Sequence, residues 1–451
     1  MMKTALIVLA AGKGTRMNSD IPKVLHPIAG EAMLFHAMAS GALLEPERTV
    51  IVAGHGADQV RAAALSYDGE VDVVEQTEQL GTAHAVRQAQ SALTGFEGVA
   101  LVLYGDTPFI QSETLENMLA ALARHDVVVL GFEAADPGRY GRLVTQGDVL
   151  EKIVEYKDAS DQERAITLCN SGVVACQSEL LFDLVSAVDN TNASEEYYLT
   201  DIVGLARAGG MSATAVTCDE GETLGVNSRA DLAAADAALQ VRIRAQMLEN
   251  GVTLAAPETV YFARDTTIGR DTVVEPNVVF GAGVTVESGA TIRAFSHLEG
   301  CHVSRGAVVG PYARLRPGAE LAEHVRVGNF VELKNAQIAE GAKINHLSYV
   351  GDATVGAGAN IGAGTITCNY DGVMKHHTQI GAGAFIGSNT MLVAPVSIGD
   401  GAMTGSGSVI TSDVDPDALA LARAPQVEKP GMARKLFELL KAKKARLQRG
   451  S

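Results

Sequence analysis

From Ile268 onward a large apolar residue returns at every sixth position, a period that neither a helix nor an ordinary strand has. Ile268, Val274, Phe280, Val286, Ile292 and Leu298 open the ladder. A five-residue step leads to Val303, Val309, Leu315, Leu321, Val327 and Leu333. Further five-residue steps lead to Ile338, Ile344 and Val350, and then to Val355 and Ile361. After a break the ladder resumes at Ile380, Ile386, Leu392 and Ile398. A hexapeptide period is the signature of a parallel β-helix, in which one side chain per short strand points inward and three strands close one coil of a triangular prism. Each coil covers its neighbour's backbone edge, so the fold stabilises itself by stacking. The stretch from about Val252 to Ile410 predicts roughly eight or nine coils. The 47 glycines, the absence of Trp and the aromatic content of 5% fit corners turned by small residues with little room for rings. Thr367 to Thr378 (TCNYDGVMKHHT) breaks the ladder and reads as a loop ejected from a corner toward a working face.

Before about Asn227 the pattern differs. Short apolar runs at Thr4–Ala10, Thr49–Ala53, Val71–Glu75 and Val99–Tyr104 alternate with helix-like spacing at Met33–Ala42 and Gly81–Ala92. Strand, helix, strand predicts an open parallel sheet covered on both faces. Ser228 to Leu248 reads as one long connecting helix, with Ser228 as N-cap, Asp231 three residues on and a stop at Asn250-Gly251. Met432 to Leu447 reads as a basic amphipathic helix. The expected domains are therefore 1–227, a linker helix over 228–250, and a repeat domain over 251–451 that includes this tail.

A net charge of −17 argues against broad nucleic-acid or anionic-membrane binding, yet leaves room for a local phosphate site. No apolar run reaches the roughly 18 residues of a spanning helix. Five cysteines without paired spacing point to a reducing, cytoplasmic setting.

Leu9-Ala10-Ala11-Gly12-Lys13-Gly14-Thr15-Arg16-Met17 follows the first strand directly. Glycines there let backbone N–H groups approach phosphate oxygens. Gly14 excludes a Walker A loop, and Met17 stands where a dinucleotide fingerprint needs its third glycine. Lys13, Arg16 and Lys23 form a local cationic exception in an acidic chain. Loop chemistry alone leaves phosphate binding and an ordinary strand-to-helix turn both open. Asp106, read alone, is as much a turn or capping residue as a metal ligand. In the repeat domain Arg316 and Lys334 are separated by three hexads, one full coil, so they stack on one edge as a phosphate clamp. His346 follows nearby; a lone histidine is more often structural than catalytic.

LAAGKGTRM with PKVLHPIAG is similar to the signature of sugar-1-phosphate nucleotidyltransferases. Gln76 with QLGTAHA, YGDTP at Tyr104–Pro108, Tyr140-Gly141-Arg142, IVEYKD at Ile153–Asp158 and Asn170-Ser171-Gly172 resemble that family's base, metal and sugar segments. With the repeats attached, the chain resembles the bacterial bifunctional uridylyltransferase–acetyltransferase family. The resemblance implies an α/β plus all-β fold class: a Rossmann-like nucleotidyltransferase domain, a connecting helix and a left-handed parallel β-helix.

It implies that acetyl-CoA acetylates glucosamine-1-phosphate and that UTP then uridylylates the product, releasing pyrophosphate. Arg16 and Lys23 would serve uridylyl transfer. Leu9, Ala10, Ala11, Gly12, Lys23, Gln76, Gly81, Thr82, Tyr104, Gly105, Asp106, Gly141, Glu155, Asn170 and Asn227 would bind UTP and the nucleotide sugar. Asp106 and Asn227 would hold Mg²⁺. His346 would be the general base of acetyl transfer. Arg316, Lys334, Tyr349, Asn360 and Lys375 would hold the sugar phosphate, and Ala363, Asn369, Tyr370, Ser388, Ser406 and Arg423 the acetyl-CoA. The same resemblance implies a homotrimer with acetyl-transfer sites between subunits. Against the family pattern, Asn345 stands where a glycine is common and Ser406 where a small apolar residue is frequent. Rival readings are a single-activity nucleotidyltransferase on a structural prism, and a non-catalytic scaffold.

Overall fold

A computed structural model describes residues 2–449. The chain divides into one unit of Met1–Ala245 with Phe262–Arg264, and a second of Gln246–Tyr261 with Asp265–Ser451.

Strand Thr4–Ala10 (TALIVLA) is buried along its whole length because helices cover both sides of its sheet. Ala5, Ile7 and Leu9 enter one apolar cluster, while Leu6, Val8 and Ala10 enter the other. The sheet order is Ala213–Cys218, Val127–Glu133, Leu168–Gln177, Val99–Tyr104, Thr4–Ala10, Arg48–Ala53, Asp72–Glu75. Thr4–Ala10 pairs in parallel with both Arg48–Ala53 and Val99–Tyr104. The sheet is mixed, not wholly parallel. Leu168–Gln177 runs antiparallel to both its neighbours, and the hairpin Arg142–Gln146 and Val149–Val154 joins its edge. The segment before it holds that hairpin and a single-turn helix, Asp161–Arg164, too short to carry the chain back to the same sheet end. The helix expected over Gly81–Ala92 closes early, as Thr82–Gln88, and Thr94 Oγ1 bonds back to the Gln90 and Ser91 carbonyls in the tight turns that follow. Such hydroxyl back-bonding competes with helix continuation.

The long helix runs over Arg229–Glu249. Ser228 Oγ accepts from the Asp231 N–H, and Asp231 Oδ2 accepts from the N–H groups of Ser228 and Asn227. This reciprocal cap starts the helix and fixes the backbone of Asn227.

In the second unit every residue of the six-period ladder is buried. Ile268 pairs with Val286, Val274 with Ile292 and Phe280 with Leu298, each three hexads further along. Where a five-residue step falls the coil is shorter by one position, as in Val286 with Val303 and Ile344 with Ile361. Among the described residues ten strands stack on one face, from Thr253–Leu254 to Leu419–Ala420. The count exceeds the expected eight or nine because the stack continues past Ile410, to Leu419–Ala420. The 367–378 segment is ejected as expected: Val355 pairs with Ile380 across it, a longer interval than any regular coil, and a Tyr370–Lys375 bridge closes the loop.

One corner departs from the small-residue expectation. Asn277, Phe295, Tyr312, Phe330, Leu347, Gly364, Asn389 and Gly407 all take left-handed φ values, between 51° and 77°. Phe295, Tyr312 and Phe330 stack outside the prism, with ring centroids 4.9 and 5.2 Å apart. Stacking offsets the roughly 1–2 kcal/mol that a left-handed conformation costs a residue with a Cβ.

The tail helix spans Met432–Arg449, and its apolar side chains Leu436, Phe437, Leu439, Leu440 and Leu447 are exposed. Among the described residues no helix is long and apolar enough to cross a membrane.

The inward ladder gives a stability test. Ile344→Ala removes a fully buried side chain and is expected to destabilise the second unit by about 2–5 kcal/mol. Lys343→Ala, on the outward side of the same strand, is expected to change stability by less than about 0.5 kcal/mol. Urea midpoints of the two variants measure the difference.

Candidate functional site

In the first unit the parallel pairing of Thr4–Ala10 with Val99–Tyr104 brings two strand ends together. Leu9 sits beside Tyr104, and the Gly105 N–H donates to the Leu9 carbonyl. Beyond these ends opens a cavity of about 260 Å³ lined by Leu9, Ala10, Ala11, Gly12, Lys23, Gln76, Gly81, Thr82, Tyr104 and Asp106, all named from the sequence. Lys13, Val24, Gln79, Ala85 and Glu196 complete the wall. The strip carrying Glu196 is tied down by the Tyr197 N–H to the Leu80 carbonyl and by the Ala83 N–H to the Tyr197 carbonyl. Gly81 is required there, because a Cβ at its φ of 124° would run into the Tyr197 backbone.

Lys23 Nζ donates to both Asp106 Oδ2 and Asn227 Oδ1. The two oxygens therefore converge on one cationic point, although they are far apart in the chain. Val226 assists, because its N–H donates to the Asp106 carbonyl. A second cavity, of about 490 Å³, is lined by Arg16, Arg139, Tyr140, Gly225 and Asn227, so Arg16 and Asn227 share a wall with a cation that motif reading passed over.

Gly141, Glu155 and Asn170 also converge: a Cβ at Gly141 would lie 3.4 Å from Glu155 Oε1 and 3.5 Å from Asn170 Cβ. Burial pushes the Glu155 carboxyl up, opposed by a hydrogen bond from Thr200. Tyr104 sits between Thr82, Asp106 and Glu155; burial and the two carboxylates raise its phenol. Gly172 leaves room for that ring, since a Cβ there would come within 2.7 Å of Tyr104 Cε2.

In the second unit the expected residues fall into two groups. Arg316 and Lys334 are stacked as anticipated, because Leu315 pairs with Leu333 just before them. Arg316 is paired with Glu332 at 3.0 Å, and Lys334 lies 3.9 Å from Asp352. The Lys334 side chain is held below the usual lysine range first by its contact with the Lys375 amine, then by burial, against the pull of Asp352. Cations crowded this way favour an anion between them. Asn369 bonds Asp352 and lies 3.5 Å from the Tyr349 hydroxyl, so it belongs to this cluster; Tyr370 Oη donates to the Gly372 carbonyl at the loop tip.

The second group follows the left-handed corner. Asn329 pairs with His346 in the adjacent coil. Below them the Gly364 N–H donates to the His346 carbonyl, the Asn389 N–H to Ala363, and the Gly407 N–H to Ser388. His346, Ala363, Ser388 and Ser406 thus stand in one column along a prism edge, and Arg423 closes its foot by donating to the Ser406 carbonyl. Asn360 lies one coil below Lys343, on the strand that leads into this edge.

Residues 6–172 match the MobA-like NTP transferase domain, and residues 265–300 and 377–412 match the bacterial transferase hexapeptide (six repeats). The bifunctional protein GlmU of Ruegeria pomeroyi is 73% identical over 448 residues, covering 99% of this chain and 100% of the relative. That of Roseobacter denitrificans is 71% identical over 450 residues, covering 100% of both. The chain belongs to the GlmU family. As a GlmU it is a bifunctional enzyme of UDP-N-acetylglucosamine synthesis, with a nucleotidyltransferase half using UTP and a hexapeptide half using acetyl-CoA. The single-activity and scaffold readings are set aside. Glu196 was missed because it sits on an irregular loop with no motif around it, Arg139 because it lies just outside the Tyr140-Gly141-Arg142 motif, and Asn329 because its place beside His346 appears only when the coils are stacked.

Gly172→Ala is expected to push the Tyr104 ring aside and lower uridylyl transfer by about tenfold to 10²-fold. Acetyl transfer, in the other unit, should be unchanged. Pyrophosphate release and CoA release, followed separately, read the two outcomes.

Proposed function

We propose that residues 1–227 carry the uridylyltransferase and 251–451 the acetyltransferase, working through the residues assembled above. The convergence of Asp106 and Asn227 oxygens on the Lys23 ammonium chiefly supports the first assignment. A carboxylate and an amide oxygen that already share a cation are hard donors suited to Mg²⁺, which takes few protein ligands and completes its shell with phosphates. Asp106 and Asn227 would hold the ion, and when bound it supplies charge neutralisation at the phosphates. Lys23 then turns to the UTP phosphates, with Arg16 and the backbone N–H groups after Gly12. The oxygen of N-acetylglucosamine-1-phosphate attacks the α-phosphorus; that P–O bond forms as the bond to the β-phosphate breaks, and pyrophosphate leaves with the electron pair. Gln76, Gly81 and Thr82 orient the base. Gly141, Glu155, Asn170 and Tyr104 orient the sugar hydroxyls.

In acetyl transfer His346 takes a proton from the 2-amino group of glucosamine-1-phosphate as the nitrogen attacks the thioester carbonyl. The C–S bond breaks, and His346 returns the proton to the departing CoA thiolate. Arg316, Lys334 and Lys375 hold the phosphate, with Tyr349 and Asn360 beside the sugar. Ala363, Ser388, Ser406 and Arg423 hold the acetyl-CoA along the corner column, with Asn369 and Tyr370 from the loop.

Two features favour a homotrimer. Lys334, on the strand Glu332–Ile338, and His346, on the strand Lys343–His346, belong to different faces of the prism, with the corner at Leu347 between them. Glucosamine-1-phosphate carries its phosphate and amine on adjacent ring carbons, so a neighbouring copy that sets its base beside this clamp would complete the site. The exposed stack of Phe295, Tyr312, Phe330 and Leu347 ends at His346, a position suited to packing against another prism. The five free thiols fit a reducing compartment, the cytoplasm.

Asp106→Ala is expected to lower pyrophosphate release by at least about 10²-fold and leave CoA release unchanged. His346→Ala should lower CoA release by about 10²–10⁴-fold with uridylyl transfer intact. If either change abolishes both activities in folded protein, the division of labour fails. Co-expressed His346→Ala and Lys334→Ala chains should recover acetyl transfer above either homomer, and recovery no greater than their sum would argue for sites within single chains.

A further inference from the structure

His346 has one side-chain partner that none of the roles above uses. Asn329 lies one coil away in direct register, and its Oδ1 stands 2.9 Å from His346 Nδ1. The same corner turns immediately after both residues, at Phe330 and Leu347, and the Leu347 N–H donates to the Asn329 carbonyl. Backbone pairing therefore holds the two side chains one above the other, and the contact does not depend on a flexible loop. On the elements around the pair, the titratable residues are Arg326 and Lys343, three positions back along their strands, Glu332 and Tyr349, two positions past the corner, and Tyr312 and Arg314 in the coil above. The coil below contributes Asn360, Ala363 and Ile366 and adds no charge.

We infer that Asn329 is a positioning residue for acetyl transfer: its amide oxygen accepts the Nδ1 proton of His346 and so keeps the lone pair on Nε2, the nitrogen that faces the substrate. A neutral imidazole is a base at one nitrogen only, and the hydrogen bond at the other decides which. An amide oxygen can only accept, so it selects the Nε2-basic form. It also stabilises the imidazolium formed when the amine gives up its proton.

This rests on His346 being the base, and the test separates the two claims. Acetyl transfer is measured against pH in the full chain for the wild type, His346→Ala, Asn329→Ala and Asn329→Asp, with uridylyl transfer and thermal midpoint as folding controls. Asn329→Ala is expected to lower kcat roughly 10–100-fold, with KM for both substrates nearly unchanged. Asn329→Asp, which can only accept, is expected to recover most of the rate and to move the acidic limb of the pH profile upward, because a carboxylate beside the imidazole favours its protonated form. If Asn329→Ala matches the wild type while His346→Ala is inactive, the positioning role is wrong and the base assignment stands. If Asn329→Asp is as inactive as Asn329→Ala, the amide donates to His346, and the inference is overturned. If His346→Ala retains full activity, the base assignment itself falls, and this role with it.

Discussion

The hydrogen bonds between successive coils are the constraint on which the second half of the molecule depends. Each short strand pairs in parallel with the strand one turn later, three hexads on or one position less. That spacing turns distance along the chain into height along the prism. Residues far apart in sequence become vertical neighbours with no freedom to slide, because a one-residue slip would turn the buried ladder outward. The cation cluster and the edge column are two consequences. Arg316 lies over Lys334 for the same reason that His346 lies over Ala363.

The first half reaches a comparable result by another route. Two adjacent parallel strands end side by side, so Gly12 and Asp106 occupy the same mouth although they are distant in sequence. A capped helix then fixes Asn227 at its start, where the amide meets Asp106 around Lys23. The site lies beyond the ends of parallel strands, a position that sheets of this type leave open. Tyr104 links the cavity at the strand ends to the cluster of Gly141, Glu155 and Asn170 through Thr82 and Glu155.

Much of this was legible in advance, and the limits have physical causes. The ladder from Ile268 to Ile398 could be read because every sixth side chain must be apolar to fill the prism. Arg316 over Lys334 followed from counting three hexads to a coil. The corner aromatics could not be read that way. A left-handed Phe295 looks unfavourable alone and is tolerated because Tyr312 and Phe330 stack with it, an interaction visible only between coils. The reversed strand Leu168–Gln177 carries no local signal of its direction, which is set by its pairing with Val99–Tyr104 and Val127–Glu133. Arg139 and Glu196 sit on loops whose course is set by distant backbone contacts.

The corner has a further consequence. Above His346 it carries bulky side chains, and below it carries Gly364, Asn389 and Gly407. Successive coils are about 4.7–4.9 Å apart. The three steps from His346 to Ser406 therefore mark out roughly 14 Å of narrow edge, with Arg423 at its end. If the column holds acetyl-CoA as proposed above, such an edge would measure its ligand. A thioester on a long, extended arm would reach from the guanidinium to the histidine, and a short thioester would fit at one end only. Selectivity for the acyl donor would then depend less on recognising the acyl group than on the number of coils its carrier can span.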